Sequence, residues 1–176
     1  MNDHILSVLV QNHAGVLSKI SGLFSRRCFN IDSLTVGETD NPAISRMTIV
    51  AQGDGMAIEQ IKNQLAKLID VITVVELGDH ESVRRELALI KVKADQDTRV
   101  HVMEVANIFR GRIVDVCPES LTLEVTGDQE KIDGMLEMLK PYSLIEIVRT
   151  GVIALERGNG SLTSTKPQTE ESEVAQ

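Results

Sequence analysis

The chain has 176 residues, a formal net charge of −8 from 18 basic and 26 acidic side chains, and 42% hydrophobic residues, the balance of a folded globular protein rather than a disordered one. Aromatic residues make up 2% and Trp is absent, so the core is aliphatic and offers little for bases or sugars to stack on. The negative balance repels phosphate backbones and argues against nucleic-acid binding through a broad basic face.

No run approaches the roughly 18 apolar residues of a membrane span, and Met1-Asn2-Asp3-His4 leads into Ile5 without a basic n-region. The expectation is a protein that starts at Met1 and works in the cytoplasm, away from any membrane. Cys28 and Cys117 lie far apart, with no CxxC pair and no metal spacing. Each reads as a small apolar residue in a reducing cytosol rather than half of a disulfide.

Ile5 to Gln11 is short and rich in β-branched residues, which predicts a buried strand ending at Asn12. After the turn Asn12-His13-Ala14-Gly15, the residues Val16, Leu17, Ile20, Leu23 and Phe24 recur at helical spacing, with Arg26 and Arg27 at the end where cations suit the dipole. Ile31–Val36 and Met47–Ala51 read as a hairpin around the loop residues 37–42. Asp54 caps a second helix carrying Ile58, Ile61, Leu65 and Leu68 on one face, and Val71–Leu77 returns as a strand. The order is βαββαβ.

The order repeats after the polar stretch Gly78-Asp79-His80-Glu81-Ser82. Leu87–Val92 is a strand; Val102, Val105, Ala106 and Phe109 mark a helix stopped by a C′ glycine, Gly111. Ile113–Val116 and Leu121–Val125 form a hairpin, Ile132, Met135, Leu136 and Leu139 lie on a helix, and Leu144–Val152 is the last strand. The fold class is therefore α+β: two tandem ferredoxin-like βαββαβ units, each an antiparallel sheet with two helices on one face. The expected division is 1–78, 79–157, and a disordered tail at 158–176, which has almost nothing apolar to offset the entropy of ordering it.

An enzyme on this chain lacks its usual marks. There is no GxSxG elbow, no GxxxxGK[ST] loop and no HExxH, and His4, His13, His80 and His101 show no ligand spacing. We therefore assign no catalytic residue, no metal site and no cofactor to it. Gly53-Asp54-Gly55 opens like a thiamine-diphosphate motif, but the later Asn is missing, and Asp54 as a helix cap accounts for it.

The turn before the first helix carries the most information. In Asn12-His13-Ala14-Gly15-Val16-Leu17 a glycine opens a helix, leaving free backbone N–H groups at the positive end of its dipole, a receptor for a carboxylate. Asn12 and Asn30 can offer amide oxygens to an ammonium group, while Val16, Leu17 and Ile31 enclose a side chain. A purely structural account competes: Gly15 relieves strain, Asn12 caps, and Asn30 ends the helix as a left-handed residue.

Strand, Asn-His-Ala-Gly-Val-Leu and the rest of the first βαββαβ unit resemble an ACT domain, an amino-acid-sensing module. The stretches Ile5–Val8, Gly22–Ser25, Asn30–Val36, Ser45–Thr48 and Ile108–Val116 together resemble the small regulatory subunit of acetolactate synthase, over about Ile5 to Leu155. The resemblance implies a noncatalytic protein that activates a separate large catalytic subunit and confers feedback inhibition by valine or a related branched-chain amino acid. Thiamine diphosphate, Mg and FAD are then expected on the large subunit. It also implies a homodimer through the ACT domain, with the effector at the interface, and effector contacts at Asn12, Gly15 and Asn30 beside the backbone of His13 to Leu17. The other reading is a free-standing ACT-type sensor dimer acting on another target.

Overall fold

In the computed structural model, residues 2–162 are described. They form two compact units, one comprising residues 2–83 with 154–162, the other Arg84–Ile153. The first unit runs β1 (Asn2–Gln11), α1 (Val16–Arg26), β2 (Ile31–Glu38), β3 (Ile44–Gly53), α2 (Gly55–Leu65) and β4 (Val71–Glu76). Its sheet has the order β2-β3-β1-β4, antiparallel throughout, which is the ferredoxin-like arrangement.

Alternation explains which face the helices cover. Leu6, Val8 and Val10 of β1 and Met47, Ile49 and Ala51 of β3 pack with Val16, Ile20, Leu23 and Phe24 of α1 and Ile58, Ile61 and Leu65 of α2 in one core cluster. Each such aliphatic side chain contributes about 1.5–3 kcal/mol on burial. The intervening residues Ile5, Ser7 and Leu9 are buried as well, so β1 is covered on both faces, as its unbroken apolar run requires. The Ser7 hydroxyl has no hydrogen-bond partner there.

The second half contributes β5 (Ser82–Lys93), α3 (Arg99–Ile108), β6 (Arg112–Cys117), β7 (Ser120–Gly127), α4 (Gln129–Leu139) and β8 (Leu144–Arg149), with strand order β6-β7-β5-β8. A short ninth strand, β9 (Ile153–Glu156), pairs with β5. Ala88, Ile90 and Val92 meet Val102, Val105 and Ala106 of α3 and Ile132, Met135 and Leu139 of α4 in the second core.

Three details depart from the sequence expectation. The final strand is interrupted: Gly151 has φ +80°, and Thr150 turns back to bond Leu87 with its N–H at 3.0 Å, so β8 and β9 replace one continuous run. The left-handed residue after α3 is Arg110, at φ +51°, not Gly111. Gly111 is needed for another reason, since a Cβ there would stand 3.1 Å from the Glu124 carbonyl oxygen of β7. After α1 the left-handed residue is Cys28, at φ +55°, not Asn30. Cys28 and Cys117 are both free, as the sequence reading expects, and both are exposed.

Most of the tail expected at 158–176, residues 163–176, lies outside the described residues. Just before it, the Arg157 N–H donates to the Glu81 carbonyl at 2.7 Å, and Leu162 is buried.

Candidate effector site

β1 delivers the chain to a turn that three other segments hold. The Gln11 N–H donates to the Asp70 carbonyl at 2.9 Å and the Asn12 N–H to the Ala43 carbonyl at 2.8 Å. Asn12 Nδ2 donates to Pro42 O at 2.8 Å and to Glu38 Oε1 at 3.1 Å, tying the turn to the β2–β3 loop. Neither bond uses Asn12 Oδ1, which remains an acceptor for an ammonium group.

Gly15 stands at the N-cap of α1 with φ +92°, a conformation that L side chains rarely adopt. It provides no side-chain cap, and the first turn of α1 carries no acidic residue. By contrast, Asp54 Oδ1 accepts from the Ala57 N–H of α2 at 2.8 Å and Asp128 Oδ1 from the Lys131 N–H of α4 at 2.9 Å. Space beside Gly15 is open, with nothing within 4 Å of a Cβ built there. The α1 N-terminus thus presents its N–H groups and the positive end of its dipole to an unobstructed approach, the geometry that receives a carboxylate.

Asp70, in the connection between α2 and β4, is the residue that sequence reasoning missed. Its carboxylate is buried, with Oδ1 3.0 Å from His13 Nε2 and Oδ2 accepting from Lys19 Nζ at 2.5 Å. The Lys19 ammonium, followed by the His13 bond, holds this carboxyl below the usual aspartate range, and burial opposes the shift.

Of the residues singled out from the sequence, Asn12, His13, Ala14, Gly15 and Leu17 gather at this turn. The Val16 side chain instead enters the core, leaving only its backbone to the turn. Leu17 is 45% exposed and available to an apolar ligand group.

Asn30 and Ile31 lie elsewhere. Ile31 is opposite Ala51, and Ala51 is opposite His4, near the start of β1. Gln11 ends that strand, roughly 20 Å away at about 3.3 Å per residue. Asn30 Nδ2 donates to Asp32 Oδ1 at 2.6 Å.

A groove of about 560 Å³ beside α2 and β4, lined by Glu59, Lys62, Val74, Glu76 and Glu81 among others, carries carboxylates and one lysine. Lys62 bonds Glu59 at 2.8 Å, which with Glu76 holds its ammonium in the charged form to higher pH than usual. Among the described residues no three His, Cys, Asp or Glu side chains come together as a metal-binding group. Nor is any helix among them long and apolar enough to cross a membrane.

The family pattern described as the AHAS small subunit-like ACT domain matches residues 6–73, and that described as the small subunit of acetolactate synthase matches 85–158. The chain belongs to the acetolactate synthase small-subunit family. It is 51% identical over 160 residues to a probable acetolactate synthase small subunit of Methanothermobacter thermautotrophicus, covering 90% of this chain and 95% of that one. The acetolactate synthase small subunit of Mycolicibacterium smegmatis is 50% identical over 163 residues, 93% and 96% of the two chains. The crystal structure of the small subunit from Thermotoga maritima superposes with a TM-score of 0.84 at 41% identity, over 91% of this chain and 100% of that one. Membership gives the chain a regulatory, noncatalytic role in acetolactate synthesis and makes a large catalytic subunit its partner.

Proposed function

We propose that this small subunit activates its thiamine-diphosphate-dependent large subunit and makes it sensitive to feedback by valine or a related branched-chain amino acid. The effector carboxylate meets the N–H groups after Gly15, its ammonium reaches amide oxygen, and Leu17 contacts its side chain, joined by Ile31 from a second copy of the chain, since Ile31 of the same chain lies at the other end of the sheet. The observation that carries this reading is the uncapped α1 N-terminus behind a glycine at φ +92° with open space beside it.

The deciding experiment is acetolactate formation by the reconstituted enzyme over a valine titration, with calorimetry of valine on the small subunit alone. Gly15→Asp sets a carboxylate against the effector's own. Two such charges about 4 Å apart cost on the order of 4 kcal/mol at an effective dielectric near 20, about a thousandfold in affinity. Gly15→Ala isolates the backbone cost of positive φ. Stimulation of the large subunit is expected to persist while inhibition disappears; wild-type valine affinity in Gly15→Asp would sink the site.

A further inference from the structure

Asp70 is the one buried carboxylate among the described residues of the first unit, and both its oxygens are engaged at the turn. His13 stands between two acceptors. Its Nε2 is 3.0 Å from Asp70 Oδ1 and its Nδ1 is 3.0 Å from the Ala14 carbonyl oxygen. A carbonyl oxygen cannot donate, and Lys19 keeps the Asp70 carboxyl ionised below the usual aspartate range. Both bonds therefore form together only when both ring nitrogens carry protons, which makes the ring an imidazolium in this arrangement. A neutral ring has one N–H and must release one of the two oxygens.

The two contacts reach different parts of the molecule. One anchors the ring to the α2–β4 connection; the other grips the backbone of the residue preceding Gly15. Lys19 shares the same carboxylate from α1, while Glu38 of β2 faces Asn12 instead. We propose that Asp70 is a positioning residue for the effector turn, holding His13 as an imidazolium that braces the Ala14–Gly15 backbone and adds positive charge beside the helix N-terminus. This inference rests on the effector site proposed above. Its consequence is that effector affinity depends on pH across the neutral range in which an imidazole changes charge, binding being tighter on the acid side.

The test is calorimetry of valine on the full-length small subunit at about pH 6 and about pH 8, on either side of neutrality. The wild type is expected to bind about three- to tenfold more tightly at the lower pH, the size of a single nearby, partly screened charge. His13→Gln, exposed and tolerant of change, is expected to flatten the profile at the weaker level, and Asp70→Asn to do the same. A flat wild-type profile, or an unchanged profile in His13→Gln, would overturn the positioning role. Should Asp70→Asn fail to fold, His13→Gln alone decides. Gly15→Asp separates the two readings: if it still binds valine as the wild type does, the site itself is wrong, whereas if it loses binding while His13→Gln keeps its pH profile, only the role of Asp70 and His13 falls.

Discussion

Gly15 and Asn30 occupy opposite ends of one four-stranded sheet, the first just beyond the end of β1 and the second just before β2, whose first residue is level with His4. An amino acid spans only a small part of the roughly 20 Å that separates those ends. If both residues touch the same effector, they must come from different chains. β2 is a sheet edge, and antiparallel pairing of two β2 strands would bring the start of one beside the end of the other. That end is Glu38, which Asn12 already joins to the turn.

Acid sensitivity follows from Asp70. Its carboxyl is held below its ordinary value in the folded chain, so its contribution to stability is fully present above the unfolded aspartate range near pH 4 and is lost as pH falls through the lower folded value. Melting curves between about pH 2 and about pH 6 are therefore expected to show a shallower acid decline in Asp70→Asn than in the wild type. Parallel declines would show that the Lys19 and His13 contacts are not maintained in solution.

A second ion cluster lies in the other unit. The Arg149 guanidinium donates to both oxygens of the buried Glu86 carboxylate at 2.9 and 2.7 Å and reaches Asp133 at 2.9 Å. Arg149→Ala leaves Glu86 buried without its countercharge, and we expect a loss of about 3 kcal/mol in urea unfolding. Glu86→Gln retains an acceptor and a comparable shape, so it should cost less. Equal losses would mean that the ion pair itself, broken in both variants, and not the stranded Glu86 charge, sets the cost.

Much of this fold was legible because its periodicities are strong. The apolar run at Ile5–Val10 marks a strand buried on both faces, and the 3.6-residue recurrence after Gly15 marks α1, whose apolar side chains Val16, Ile20, Leu23 and Phe24 enter the core. Loop geometry was less legible. At Arg110-Gly111 the glycine is the natural candidate for the left-handed position, yet Arg110 takes it, and Gly111 instead meets the close approach of β7, a contact across the sheet with no local signal. The same limit hid Asp70. Within Leu68-Ile69-Asp70-Val71 it looks like an ordinary residue between a helix and a strand, yet its partners His13 and Lys19 are 57 and 51 positions away.

Gly111 supplies a direct stability test. Gly111→Ala forces a Cβ to within 3.1 Å of a backbone oxygen in β7, where neither partner is a flexible side-chain end. The hairpin must shift, at a cost of about 1–3 kcal/mol. Gly55→Ala is the control, since nothing lies within 4 Å of a Cβ at that helical position and alanine is the better helix former. Thermal melts should move down for the first variant and hold or rise for the second.

The arrangement of Gly15 and Asn30 yields a complementation test. If the proposed effector site is shared across a twofold dimer, each site takes Gly15 from one chain and Asn30 from the other. Gly15→Asp alone damages both sites, and so does Asn30→Ala, which removes hydrogen bonds to a charged ligand at about 1.5–3 kcal/mol each. In a mixed dimer the two lesions fall together in one site, and the remaining site combines the unaltered Gly15 of one chain with the unaltered Asn30 of the other. Equal amounts of the two variants, unfolded together and refolded to exchange partners, should therefore recover wild-type valine affinity in about one site in four if pairing is random. If Gly15 and Asn30 acted within the same chain, every site in the mixture would still carry one lesion and no high-affinity component would appear. Calorimetry of the refolded mixture against the two variants refolded separately distinguishes these outcomes. Sedimentation of the same samples at micromolar concentration checks the premise, because a monomeric protein with and without valine would remove the interface on which the shared site depends.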